Sequence, residues 1–344
     1  MTILGIETSC DECAAAVVVD GKKILSNVVA TQIEAHRPFY GVVPEIASRK
    51  HLEWITGVVK QGLEESGLGF DGIDAIAATM RPGLVGSLLV GLSFAKALAW
   101  TLGKPFLGID HIEAHLYAVH LENDNITYPY LGVLVSGGHT LIARVANFDD
   151  FEVMGTTIDD ACGEAFDKVA KFYDLGYPGG IAIQKLAEKG NPTAFRFTKP
   201  SLHKGEHKYD VSYSGLKNAA INQLDLFWDK KSSKTAENIA ASFQRTAVDI
   251  LLSRVFAAVR DTGISTVIFG GGVAANTYLR GSVAQNHDVR AVFPSLSLCT
   301  DNAAMIAGAA YPRFVRGQTS DMQVNASARV HAFRWHKPKK LHKE

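Results

Sequence analysis

A strand–turn–strand pattern occurs twice in this sequence, and that repeat limits the folds open to it. The run from Leu4 to Val18 can be laid over the run from Leu131 to Val145. Each opens with Leu-Gly-aliphatic residues, breaks at a polar or glycine turn carrying a serine (Ser9, Ser136), and resumes with a second apolar run. Alternating and β-branched residues predict strands on both sides of each turn. A chain of 344 residues is too long for one small core. The repeat therefore predicts two related halves, each starting on a hairpin. Glu122-Asn123-Asp124-Asn125, followed by Pro129, is the expected linker.

The rest of the pattern alternates. In the first half, strands are expected at 2–7, 14–19, 24–29 and 73–79, with another ending near Ile109. Helices are expected over 44–66, where Pro44 suits a first helical position, and over 84–102. In the second half, helices are expected over 164–173, 181–189, 218–228, 236–261 and 302–314, with strands at 266–269 and 289–293. Alternating strands and helices predict an α/β fold. The run from Leu84 to Leu102 contains Gly86, Ser87, Gly91, Ser93, Lys96 and Thr101, so it reads as a buried helix rather than a membrane span.

Composition removes several classes of function. Lys+Arg and Asp+Glu balance at 35 each, so any nucleic-acid contact must come from a local patch. Four cysteines do not make a disulfide framework in so long a chain. The start shows no basic segment followed by an apolar run, which leads us to expect a cytoplasmic enzyme with no membrane partner.

Chemistry concentrates in a few places. His111 and His115 stand four residues apart just after a predicted strand, so a helix would aim both imidazoles at one ion. Glu113 lies about 200° around that helix from His111, unlike the glutamate that directly follows the first histidine in zinc proteases. Two histidines call for a carboxylate to complete the set. Asp301 is the candidate, and an ordinary helix N-cap is its competing reading. Ser136-Gly137-Gly138-His139 and Gly270-Gly271-Gly272, with Asn276 beyond, can turn backbone N–H groups toward an anion. A plain hairpin turn and a tight loop are their alternatives. Gly155 to Asp160 and Tyr177 to Gly180 add polar groups. Cys10 and Cys13 form a CxxC, but Asp11 and Glu12 between them oppose a reactive thiol. Arg196, Lys199, Lys204, Lys208 and Lys217, interleaved with Phe195, Phe197, Tyr209 and Tyr213, form either an RNA grip or a solvated loop over the core.

Together these motifs resemble one family, the tRNA N6-adenosine threonylcarbamoyltransferases. The matching stretches run in order: 5–12, 43–49, 81–84, 111–115, 134–140, 159–160 with 163–168, 176–180, 213–217, 270–276 and 301–302. The resemblance implies an actin/hexokinase/Hsp70-like (ASKHA) duplicated two-lobe fold with an interlobe nucleotide cleft. The implied lobes are residues 1–128 and 129–300, with the helix over 301–316 packing back on the first and a tail over 317–344. It also implies one divalent metal ion, iron (Fe2+) or zinc (Zn2+), on His111, His115 and Asp301. Leu134, Val135, Ser136, Gly137, Gly138, Asp167, Gly180 and Asn276 would bind threonylcarbamoyl-AMP or another adenine nucleotide. Cys13 stands where the family has threonine, and Ile181 where proline follows the two glycines.

The activity implied is acyl transfer: threonylcarbamoyl passes from threonylcarbamoyl-AMP to N6 of adenosine 37 in tRNAs reading ANN codons. Asp11, Glu12 and His139 are the candidates for acid–base work. The implied partners are tRNA, a truncated paralogue and a small ATPase. A metalloprotease, or a kinase or ATP-binding scaffold of the same fold, is the rival reading.

Overall fold

The computed structural model describes residues 1–202, 207–223, 235–329 and 334–335. It divides into two compact units, residues 1–126 with 294–332, and residues 127–293 with 333–344.

The first unit is built on a five-stranded sheet. Its strands are β1 (Thr2–Glu7), β2 (Glu12–Val19), β3 (Lys23–Thr31), β4 (Ala75–Arg81) and β5 (Phe106–Asp110), in the order β3-β2-β1-β4-β5. β1 runs antiparallel to β2 and parallel to β4, and β5 runs parallel to β4. Side chains alternate across the sheet. Leu4, Ile6, Ala15, Val17, Ile76 and Phe106 face a core shared with helices Pro44–Ser66 and Val85–Leu102. Ile3, Ala14, Ala16, Ala75, Ala77, Leu107 and Ile109 face the Ala303–Val315 helix. That second face is lined with alanines and takes an alanine-rich helix, so the backbones approach closely. Gly5 marks the tightest point: a Cβ there would lie 2.4 Å from the Ala303 carbonyl oxygen.

The second unit repeats the plan. β6 (Tyr130–Val135), β7 (Thr140–Asn147), β8 (Asp150–Thr156), β9 (Thr266–Gly270), β10 (Arg290–Val292) and β11 (Arg334–Trp335) are ordered β10-β9-β6-β7-β8-β11. β6 is antiparallel to β7 and parallel to β9, as β1 is to β2 and β4. The aligned residues even share register, with Gly5 opposite Ala16 and Gly132 opposite Ala143. Helices Cys162–Phe172, Gly179–Ala187, Ser214–Ile221, Thr235–Thr262 and Thr277–Ala284 complete this unit among the described residues.

Two expectations need correction. The helix over 84–102 is not buried all round. Ser87, Leu88, Gly91, Leu92, Ala95 and Ala99 form its packed face, while Val85, Leu89 and Trp100 are exposed. By length and composition that helix could cross a membrane, but its packed face belongs to the unit's core. Gly155 and Thr156 end the strand β8. The helix expected over 218–228 begins earlier, at Ser214, and residues 224–228 lie outside the described residues.

Gly5→Ala should destabilise the first unit by about 1–3 kcal/mol, because a methyl group must displace helix backbone. Denaturant titration of the full chain, read by tryptophan fluorescence, measures this; an unchanged midpoint would contradict the close-approach argument.

Candidate functional site

The sequence-predicted residues fall into two groups, one in each compact unit. In the first unit, Asp110 ends β5 and its Oδ1 accepts a hydrogen bond from the Ile112 N–H at 2.9 Å, capping the helix His111–Tyr117. Arg81 Nε donates to the other carboxylate oxygen of Asp110 at 3.2 Å. The capped helix puts His111 and His115 on one face, with ring centroids 4.5 Å apart. Asp301 reaches them from the far end of the chain. Its Oδ1 lies 3.0 Å from His115 Nε2 and 3.5 Å from His111 Nε2. Both histidines are buried.

The cap reading of Asp301 gives way to its neighbour. Asn302 caps the Ala303–Val315 helix, its side chain accepting from the Met305 N–H at 3.0 Å. Asp301 is thereby left facing the histidines. Glu113 points elsewhere, as its helical position requires: its Oε2 accepts from Arg313 at 2.7 Å.

Among the described residues, His111, His115 and Asp301 offer two imidazole nitrogens and a carboxylate oxygen within 4.8 Å of one another. A nitrogen, nitrogen, oxygen set of this kind suits a divalent metal ion and leaves positions for substrate. The electrostatics agree. Burial alone would lower the His111 pKa, but the charges of Asp301 and Glu7 overcome it and lift it to about 9. Burial and the neighbouring His111 lower His115. The two carboxylates thus favour positive charge at this cluster.

The preceding turn adds acid. Asp11 is buried and Glu12 half-buried. Burial, then the charges of Asp11 and Asp301, hold the Glu12 carboxyl well above the usual range. Sequence reasoning missed Glu7. It is fully buried, and its Oε2 accepts from His111 Nδ1 at 3.0 Å and from Thr79 Oγ1 at 2.6 Å. A carboxylate closing a predicted strand was the available signal.

In the second unit, Ser136 to His139 is the tight turn of the β6–β7 hairpin. The Ser136 N–H donates to the His139 carbonyl at 2.8 Å, and the His139 N–H to Ser136 Oγ at 3.0 Å. Gly137 and Gly138 are exposed, with open space where a Cβ would stand. Leu134 and Val135 have wholly buried side chains, so any ligand contact from them is through backbone. The Gly163 N–H donates to the Ser136 carbonyl at 3.1 Å, tying the Cys162–Phe172 helix to this turn. Asp167 Oδ1 accepts from the Gly179 N–H at 2.8 Å, and Gly180 beside it faces open space. Asn276 caps the Thr277–Ala284 helix through Leu279 N–H at 2.9 Å while its amide donates to Gln244 Oε1 at 2.9 Å. Gly271 takes φ 89°, and a Cβ there would meet the Val135 carbonyl oxygen at 2.5 Å, so this loop requires glycine against β6.

Other candidates resolve differently. Cys13 is buried in the core and its thiol is pushed up to about 12, mainly by burial, so it brings no reactive thiol. Cys10 and Cys13 are both free. Ile181 is 57% exposed, in the first turn of the Gly179–Ala187 helix. Three lysines of the basic cluster stand in ion pairs. Lys199, Lys208 and Lys217 pair with Asp249, Asp261 and Asp160 at 2.7–2.8 Å, and Phe197, Tyr209 and Tyr213 are buried. Lys204 lies outside the described residues.

Two sheets of matching topology, with an imidazole–carboxylate cluster beside the first hairpin, define a protein of the actin/hexokinase/Hsp70-like fold class. Solved structures of low identity share this fold. The HypF protein of T. kodakarensis superposes with a TM-score of 0.62 at 14% identity, over 94% of this chain and 49% of that one. Component A of the Acidaminococcus fermentans (R)-2-hydroxyglutaryl-CoA dehydratase gives 0.55 at 16%, over 92% and 99%. Closer relatives narrow the class. The sequence profile of the tRNA N6-adenosine threonylcarbamoyltransferase family matches residues 23–308. Proteins of that name in Treponema denticola and Borrelia hermsii are 64% and 50% identical, covering 97% and 99% of this chain and 98% and 100% of their own lengths. The chain belongs to this family and is a tRNA-modifying acyltransferase.

Glu113→Ala should cost about 2 kcal/mol of stability by removing the ion pair with Arg313 at a largely buried site. The double change Glu113→Ala with Arg313→Met should recover part of that loss. No loss in Glu113→Ala would show that the pair contributes nothing.

Proposed function

We propose that the donor is threonylcarbamoyl-AMP and the acceptor is N6 of adenosine 37 in tRNAs that read ANN codons. The amine nitrogen attacks the carbamoyl carbon, a C–N bond forms, the bond to the phosphate oxygen breaks, and AMP leaves. The exocyclic amine is a weak nucleophile, so positioning of an activated donor carries much of the rate. The observation that supports this reading best is the cluster of His111, His115 and Asp301, whose ligand atoms lie within 4.8 Å of one another. Fe2+ is the ion we assign first and Zn2+ second. A bound divalent ion would supply Lewis-acid polarisation and hold the threonyl part.

The adenylate is assigned to Leu134, Val135, Ser136, Gly137, Gly138, Asp167, Gly180 and Asn276. The exposed amides of Gly137 and Gly138 and the open space at Gly180 support this. Asn276 supports it through loop shape, since both ends of its amide are already engaged. Asp11, Glu12 and His139 are the groups proposed to move the amine proton. Glu12 lies in the same turn as Asp11, within the field of Asp301.

A protease is disfavoured by Glu113, which is held by Arg313. We assign a truncated paralogue and a small ATPase as partners for turnover, in the cytoplasm. Leu52 and Trp100, 71% and 77% exposed on helices Pro44–Ser66 and Val85–Leu102, support a protein contact there.

His111→Ala with His115→Ala should abolish metal content, read by mass spectrometry of the purified protein, and cut tRNA modification at least about 100-fold. Modification at the parent rate by a verified metal-free double variant would reject the assignment.

Metal affinity should also depend on pH. His111 must lose its proton to bind, and its pKa stands at about 9, so affinity should rise with pH up to that value. Between pH 6 and 8 the apparent affinity should increase about tenfold per unit, measured against a competing chelator. A flat profile would show that His111 is not a ligand.

A further inference from the structure

We infer that Glu7 is a positioning residue that fixes the ring of His111 and thereby sets the metal affinity of the cluster; this rests on the three-ligand reading above. The geometry spans three adjacent parallel strands. Glu7 closes β1, Thr79 lies near the end of β4, and His111 directly follows β5. Their side chains meet there. Glu7 Oε1 accepts from the Ser9 N–H at 2.5 Å, and Oε2 accepts from Thr79 Oγ1 at 2.6 Å and from His111 Nδ1 at 3.0 Å.

A carboxylate oxygen serves as a hydrogen-bond acceptor, so Glu7 occupies the Nδ1 side of the His111 ring. That leaves Nε2, the atom 3.5 Å from Asp301 Oδ1, on the other side of the ring. Ser9 Oγ stands 3.2 Å from the same Nδ1 and buttresses the ring. His115 is unlike its neighbour. Its Nδ1 is buried with no hydrogen-bond partner among the described residues. The ordering of the site thus falls on one histidine, through a carboxylate that is 0% exposed. A buried carboxylate is costly unless its oxygens are satisfied, and here both are. Carboxylate partners of this kind set the tautomer and raise the basicity of a ligating histidine, and losing one weakens metal binding by about 10- to 100-fold.

Glu7→Gln tests this in the full chain. The glutamine amide must face at least one N–H or O–H donor that the carboxylate accepted, so the support is broken with little change in volume. The probe is Co2+, which gives a visible spectrum sensitive to ligand geometry. We expect Glu7→Gln to bind Co2+ about 10- to 100-fold more weakly, with altered band positions. Thr79→Val, which removes one of the donors that hold Glu7, should show a smaller loss in the same direction; it serves if the glutamine variant does not fold. A merely structural role would lower melting temperature in the metal-free protein and leave Co2+ affinity and spectrum unchanged, and that result would overturn the inference. If the parent chain binds Co2+ no better than His111→Ala, the three-ligand reading fails first and takes this inference with it.

Discussion

The approach of the Ala303–Val315 helix to β1 is the constraint on which the site depends. No side chain at position 5 separates them, and the Ala303 carbonyl and Ala307 N–H come within 2.4 and 2.8 Å of where a Cβ would stand. Asn27 Oδ1 accepts from the Ala304 N–H at 3.2 Å, and Asn302 caps the same turn. The start of this helix is therefore fixed by backbone contact, and Asp301 stands directly before it. Its carboxylate meets His115 at 3.0 Å across 186 residues of chain. A shift of about 1 Å in the helix is enough to spoil a ligand set, since such sites tolerate about 0.5 Å. The small-residue face of the sheet is thus part of the functional design as well as of the core.

A second lock acts from behind. Glu113 and Arg313 join the helix that carries the histidines to the helix that follows the aspartate, at 2.7 Å. Arg81 and Asp110 fix the cap of the histidine helix. The same sequence segment, 111–115, therefore presents ligand atoms on one side and a structural ion pair on the other. That division follows from helix geometry, because residues two apart point to different sides.

Local patterns in the sequence revealed what local physics decides. The Pro44–Ser66 helix was legible at both ends, since proline starts it and Gly67 follows it at φ 70°. The two hairpins were legible from alternation, and the repeat from their shared residues. Asp301 was legible as a candidate but stayed undecided, because aspartate and asparagine cap helices equally well and the pattern could not say which of 301 and 302 was the cap. Only the return of the chain to β1 decides it. Glu7 was hidden for the same reason, its partner lying 104 residues away. The pairing of the basic cluster was not legible, because its acidic partners, Asp160, Asp249 and Asp261, come from distant segments.

The duplication explains how one scaffold supports two kinds of chemistry. In the aligned hairpins Glu7 occupies the position of Leu134: Glu7 pairs with Ala14 across β1–β2, and Leu134 with Leu141 across β6–β7. Both positions are fully buried. The leucine needs only apolar neighbours. The carboxylate needs hydrogen-bond donors, and the first unit supplies them from Thr79, Ser9 and His111. Beyond that position the turns also part. One carries Asp11 and Glu12 toward the field of Asp301, and the other carries Gly137 and Gly138 with bare backbone exposed. Charge on the first turn suits a cation, and free amides on the second suit an anion. A strand–turn–strand unit fixes where a turn stands but leaves its side chains free, so two copies can hold opposite charges without any change in the sheet that carries them.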